Sequence, residues 1–177
     1  MITEIGIICG EILELLEQRN GVSVFGEIHF DLKRPRDLIQ MSLGWLLREG
    51  YVQILEDPLR ACYNNDSREK SFTSEAFMFD LIVENKLAAS RTRVKDIAYH
   101  ISAVAGEILT LLEGCGNLLD LTTIERNLNK HRDIILMSLG WLIRERHVRA
   151  IAGTHETFIF RLPKEMASLD SEALCHA

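Results

Sequence analysis

A chain of 177 residues has room for one ordinary domain or two small ones, and 47% hydrophobic with 26% charged residues is the balance of a folded globular protein. The formal net charge of -6 argues against a general nucleic-acid coat, whose hold on phosphate is mostly electrostatic, but leaves room for a local basic patch. The longest apolar run, Ile134 to Ile143 with Ser138 inside it, falls short of the ~20 residues of a membrane span. The opening Met1-Ile2-Thr3-Glu4-Ile5-Gly6 lacks the basic and apolar regions of a signal peptide, so a cytoplasmic chain with no membrane partner is expected.

Ile5, Ile8, Ile12, Leu15 and Leu16 recur at helical spacing and Asn20-Gly21 stops the pattern, which predicts a first helix. Val22 to Phe25 is a short β-prone run, and Gly26 to Leu32 fits a brief second helix with Ile28 and Leu32 facing inward. Lys33-Arg34-Pro35-Arg36 forms a basic turn, with Pro35 suited to the first position of a third helix. That helix runs to Glu49, and Gly50 is its C-cap. Tyr51 to Leu55 and Leu59 to Tyr63 then flank Glu56-Asp57-Pro58 as a hairpin. Asn64 to Ser71 is a polar loop. Ser74 to Leu87 is expected as an extra helix capped by Ser74, although Phe77 to Val83 suits a strand equally well. The pattern then begins again, closing with His147 to Ile151, a turn at Gly153 and Glu156 to Arg161. The tail after Pro163 is expected to fray.

An internal repeat decides the organisation. Met41-Ser42-Leu43-Gly44-Trp45-Leu46-Leu47-Arg48-Glu49 returns as Met137-Ser138-Leu139-Gly140-Trp141-Leu142-Ile143-Arg144-Glu145, an offset of 96 (137 − 41). The same offset aligns Gly10-Glu11-Ile12-Leu13 with Gly106-Glu107-Ile108-Leu109, and Arg36-Asp37 with Arg132-Asp133. The chain therefore divides into a first repeat over 1–63, a linker with an extra helix over 64–95, a second repeat over 96–162 and a tail over 163–177. Each repeat, at about 60 residues, is near the smallest size that folds alone, so the two are expected to lean on each other.

Helix, short strand, helix, turn, helix and hairpin is the order of a winged helix-turn-helix, in which the third helix usually reads DNA and the hairpin is the wing. Each repeat resembles a family of small bacterial and archaeal winged helix-turn-helix proteins of unknown function, marked by a Met-Ser-Leu-Gly-Trp-Leu-x-Arg-Glu segment ahead of the wing. The resemblance covers both repeats but not the linker or tail. It implies a mainly α fold with small β-hairpins (α+β), built as two tandem winged-helix domains related by pseudo-twofold symmetry. If family members pair as dimers, this chain is a covalent version of that pair. The second copy has His131 in place of Pro35 and Arg146 in place of Gly50, which predicts unequal roles.

On a helical wheel Leu38, Ile39, Leu43, Leu46 and Leu47 form one apolar arc, with Met41 and Trp45 at its edges. The remaining strip is Asp37, Gln40, Gly44 and Arg48, and its counterpart is Asp133, Leu136, Gly140 and Arg144. A base-reading helix normally offers Arg, Asn, Gln or Lys, so an acid, a glycine and a leucine make a poor reading head. A mid-helix glycine costs about 1 kcal/mol relative to Ala. Its presence in both copies suggests a close backbone approach, either between the two third helices, with Gln40, Gly44, Leu136 and Gly140 at the contact, or within one domain. Trp45 and Trp141, among apolar neighbours, are core anchors rather than ligand-stacking platforms.

Candidate DNA contacts cluster ahead of the third helix: Lys33, Arg34 and Arg36 in the first copy, and Lys130, His131 and Arg132 in the second. Helix N-termini favour phosphate through their free N–H groups. Arg126, Arg144, Arg146, His147 and Arg149 add charge around the second copy's third helix and wing. Lys and Arg number 6 against 10 acids over 1–63, and 7 against 8 over 96–162, which makes the second copy the better DNA candidate. Such residues would grip phosphate and carry little sequence information; the alternative is an ordinary solvated turn. Lys86, Arg91, Arg93 and Lys95 of the linker are further basic residues.

No phosphate-binding loop, nucleophile elbow or zinc-protease pattern occurs, and the six histidines have no metal-ligand spacing. Cys9, Cys62, Cys115 and Cys175 lack paired spacing and are expected as reduced, packed thiols, while Glu11, Glu14 and Glu107 suit solvated helix faces. The expectation is a protein with no catalytic residue, metal or cofactor. Its partner is double-stranded DNA, held by basic turns and wings as in a transcription regulator; the alternative is a protein partner bound without DNA.

Overall fold

A computed structural model describes residues 1–55, 78–82, 95–153 and 157–162. The described residues form a mixed α+β fold of six helices and two three-stranded antiparallel sheets. In the first half, α1 (Ile2–Gln18) buries Ile5, Ile8, Cys9, Ile12 and Leu16 along one stripe. The chain turns through Asn20 and Gly21, both at positive φ, into β1 (Val22–Val24) and α2 (Phe25–Leu32). Phe25 is already the first residue of α2 and is buried with Ile28. Pro35 stands at the N-cap, one residue outside α3 (Arg36–Glu49), because its extended ψ of 130° does not continue into the helix. Gly50, at φ 75°, closes α3 in the left-handed region that glycine enters without steric cost. β2 (Val52–Leu55) follows.

The strand that pairs with β2 is β3 (Met78–Leu81), with Ile54 opposite Phe79. The expected partner, Leu59 to Tyr63, lies outside the described residues, as do Ser74 to Phe77. The stretch expected as an extra helix thus supplies a strand over Met78–Leu81, consistent with its Phe77 to Val83 strand alternative. β3 is central in its sheet, order β1-β3-β2, and Phe79 is fully buried there. Burial of a large aromatic outweighs the local helical pattern.

The second half comprises α4 (Lys95–Gly114), β4 (Leu118–Asp120), α5 (Leu121–Leu128), α6 (Arg132–Arg144), β5 (Val148–Ala152) and β6 (Thr157–Arg161). Strands, helices and turns fall 96 residues after their counterparts: β1 and β4 start at 22 and 118, α3 and α6 at 36 and 132, β2 and β5 at 52 and 148. The central strands break this offset. Val22 pairs with Asp80 and Leu118 with Phe160, so β3 and β6 correspond at 80 (160 − 80). The connection into β3 is therefore 16 residues longer than that into β6 (96 − 80).

Both halves bring the third helix to the first through the same buried serine. Ser138 Oγ donates to the Ile101 carbonyl at 2.9 Å, while Ser42 Oγ stands 3.2 Å from the Ile5 carbonyl and shares its hydrogen with the nearer Leu38 carbonyl of its own helix at 2.8 Å. Cys9 Sγ donates to the Ser42 carbonyl at 3.5 Å, and burial pushes its thiol up to about 12. Asp120 caps α5, accepting from the Thr123 N–H and from Thr123 Oγ1, both at 2.7 Å. Its counterpart at the start of α2, Val24, has no side-chain cap bond.

Two predictions follow from this packing. Phe79→Ala should lower unfolding free energy by about 3–5 kcal/mol in a urea titration, a core-sized loss from a residue outside the sequence repeat. Asp120→Ala should cost about 1 kcal/mol at pH 7. The hydrogen bonds from Thr123 hold the Asp120 carboxyl below its ordinary value, so its contribution is present above the unfolded pKa. The gap between wild type and variant should narrow as pH falls below about 4.

Candidate functional site at the crossing of the third helices

Only the middle of the α3 polar strip, Gln40 and Gly44, is buried; Asp37 and Arg48 at its ends remain 39% and 42% exposed. Gln40, Met41, Ser42, Leu43 and Gly44 are all buried, as are Asp133 to Leu139 and Gly140 on α6. A Cβ on Gly44 would meet the Met137 carbonyl, and one on Gly140 the Met41 carbonyl, both closer than the 3.0 Å that real Cβ atoms keep. Each glycine thus lies on the backbone of the opposite helix. Leu136 is fully buried, and Gln40 donates through Nε2 to Asp133 Oδ1 across the crossing.

Ion pairs frame the glycines on both sides, and each is made twice. At one end Arg132 Nη2 reaches Asp37 Oδ2 at 2.7 Å, and Arg36 Nη2 stands 3.6 Å from Asp133 Oδ2. At the other, Arg48 pairs with Glu145 at 2.5 Å and Arg144 with Glu49 at 2.7 Å. Arg48 also lies over the Trp141 ring at 5.3 Å, and Arg144 over the Trp45 ring at 5.5 Å. Both tryptophans are half-buried and pack against the core, each under an arginine from the other half. These arginines are about 40% exposed, so each pair contributes at most ~1 kcal/mol, and the buried apolar contact dominates.

Several of the bases expected to hold phosphate are paired as well. Arg34 binds Glu11 of its own α1 through two nitrogens, which raises the guanidinium pKa and lowers that of the acid. Lys130, its counterpart, stands 3.3 Å from Glu107 of α4. Glu11 and Glu107 lie on helix faces that are solvated, as expected, with side chains 30% and 43% exposed, and are ion-paired there. Arg132 also binds Glu125. His131 caps α6, its Nδ1 accepting from the Asp133 N–H at 3.3 Å, and lies 3.4 Å from the Asp133 carboxylate. The Asp133 side chain is only 5% exposed, and the Gln40 amide on its Oδ1 with Arg36 3.6 Å from its Oδ2 offsets part of the cost of a buried acid.

Lys33 is exposed at the left-handed C-cap of α2, and Arg126 and Arg149 are exposed; none of the three has an ion pair to an acid among the described residues. Arg146 occupies the position of Gly50 and adopts the same left-handed backbone, φ 58°. Lys86, Arg91 and Arg93 lie outside the described residues, whereas Lys95 begins α4. Sequence placed Asp37 and Asp133 on the polar strips and gave Glu49 and Glu145 no role, and it assigned none of the four a partner. A signal for them existed, because both members of each cross-helix pair recur at the offset of 96.

Among the described residues no helix is long and apolar enough to cross a membrane, and no three His, Cys, Asp or Glu side chains gather as metal ligands. Compared with known proteins, the chain matches no protein-family model, no curated protein and no solved structure.

Gly44→Ala or Gly140→Ala should raise helix propensity by about 1 kcal/mol yet lower stability, because a carbonyl of the opposite helix cannot yield to a methyl. Gly10→Ala is the control: it is mid-helix with nothing within 4 Å of its Cβ position, and it should be stabilising. Thermal melts in which the crossing variants melt below wild type while Gly10→Ala melts at or above it would bear this out.

Proposed function

We propose that the chain is a non-catalytic tandem winged-helix protein, an intramolecular pseudo-dimer, that works as a protein-interaction module. One observation carries this reading: the helices that would enter a DNA groove are spent on each other. α3 and α6 bury the middle of their polar strips at the glycine crossing, and the arginines at the strip ends, Arg48 and Arg144, face acids of the opposite helix, so neither helix offers a free row of donors to base edges. The turn bases Arg34, Arg36, Lys130 and Arg132 face acids of the same chain, which supports a structural use of their charge. Phosphate would have to displace those acids before counterions could be released. The repeated element order, the shared offset and the reciprocal contacts support the pseudo-twofold arrangement.

A second reading is favoured by the exposure of Lys33, Arg126 and Arg149, which leaves three bases for a DNA backbone along the second helices and the second wing. Fluorescence anisotropy of the full chain with random duplex DNA, at low and moderate salt, separates the two. The interaction reading expects no salt-sensitive binding. Binding that falls steeply with salt and is lost when Lys33, Arg126 and Arg149 are changed to Ala would overturn it in favour of DNA.

A further inference from the structure

The two sheets share a topology but not a surface. Ser23, Val52, Ile54 and Phe79 point into the core, so the alternate residues form the outer face of the first sheet. Its rows are Val22–Asp80–Gln53 and Val24–Met78–Leu55; Gln53 donates to Asp80 at 2.7 Å, and none of the six is exposed. In the second sheet the same rows are Leu118–Phe160–Arg149 and Asp120–Phe158–Ile151. Leu118, Phe158 and Ile151 are 43%, 38% and 46% exposed. Asp120, the acid of this face, is turned to Thr123 as a helix cap, so Arg149 is the charge the face presents along β5.

β5 is an edge strand, paired with β6 on one side and with no described strand on the other. The Leu162 N–H donates to the His147 carbonyl at 2.9 Å, which makes 147 and 162 a hydrogen-bonded pair. In an antiparallel ladder such pairs alternate, so Val148, Ala150 and Ala152 turn their N–H and C=O groups away from β6. The strand contains no proline, lysine or acid, and Arg149 is the single charge on an edge that proteins otherwise blunt.

We infer that β5 accepts an extended segment of a protein partner as a fourth strand, with an acidic residue beside Arg149 and an apolar residue two positions along beside Ile151. Side chains two apart share a face, so one partner strand presents both, and its remaining backbone groups meet Val148, Ala150 and Ala152. The first sheet is the poorer acceptor, since β2 carries no charge and its outer face is half-buried. This surface rests on the protein-interaction reading above and gives it a partner chemistry.

The test uses the ¹⁵N-labelled full chain and two short synthetic peptides, one repeating Glu-x-Leu and the other Lys-x-Leu. The acidic peptide should shift the amides of Val148, Ala150 and Ala152 and slow their hydrogen exchange, binding about tenfold more tightly than the basic one. Arg149→Glu, a change at an exposed side chain with no acidic partner among the described residues, should reverse that order, and methylating the peptide's backbone nitrogens should abolish binding. Silence from both peptides overturns the inference, as does an order of affinity that R149E leaves unchanged. Shifts at the same amides on deleting residues 163–177 would place the chain's own segment there and also overturn it. Salt-sensitive DNA binding in the anisotropy experiment would instead remove the reading beneath it, so the two failures are distinct.

Discussion

Two glycines hold the molecule in its arrangement. Gly44 and Gly140 let α3 and α6 approach until each rests on the other's main chain, and a single methyl at either place has nowhere to go. The rest follows from that closeness. Apolar residues of both helices seal the crossing, the first helices pack on the outer sides through Ser42 and Ser138, and the arginines and tryptophans at the ends come within reach of the opposite half. Each half alone is near the lower limit for a stable core, so the shared interface is where burial is completed.

Charge is arranged around this contact in a way that changes what the basic residues do. Arg36 and Arg132, and Arg48 and Arg144, each meet an acid of the opposite helix; Arg34 and Lys130 each meet an acid of their own first helix. Exposed pairs of this kind add little stability one at a time. Their effect is on register and on potential: they favour one alignment of the helices and reduce the positive field at the turns. An arginine expected as a phosphate contact is in this chain a connector between repeats.

The two halves are alike in backbone and unlike in surface. His131 caps α6 where Pro35 leaves α3 without a side-chain cap, and Asp120 caps α5 where Val24 does not cap α2. The Gln40–Asp133 bond has no mirror image, because the counterpart of Gln40 is Leu136. The largest difference lies on the sheets: phenylalanines and Arg149 in the second replace the Asp80–Gln53 pair and Met78 of the first. Once the crossing is formed, these outer faces are free to diverge, since neither contributes to the shared core.

Several features were legible in the sequence because they are local. The stripe of Ile5, Ile8, Ile12 and Leu16 and the left-handed closure at Gly50 depend on neighbours a few residues away, and each copy of the repeated segment is itself short and contiguous. The paired glycines signalled a close approach, but between which backbones was open until tertiary packing put Gly44 on Met137. Residues 78–81 were ambiguous between helix and strand, since a short apolar run fits either period, and only pairing with β1 and β2 settles it. Sequence likewise could not say that Arg132 finds Asp37, 95 residues away, rather than water. Periodicity and turn chemistry are written along the chain; the partner of a charge is decided by which helix arrives opposite it, and that is fixed only when the two halves close on their glycines.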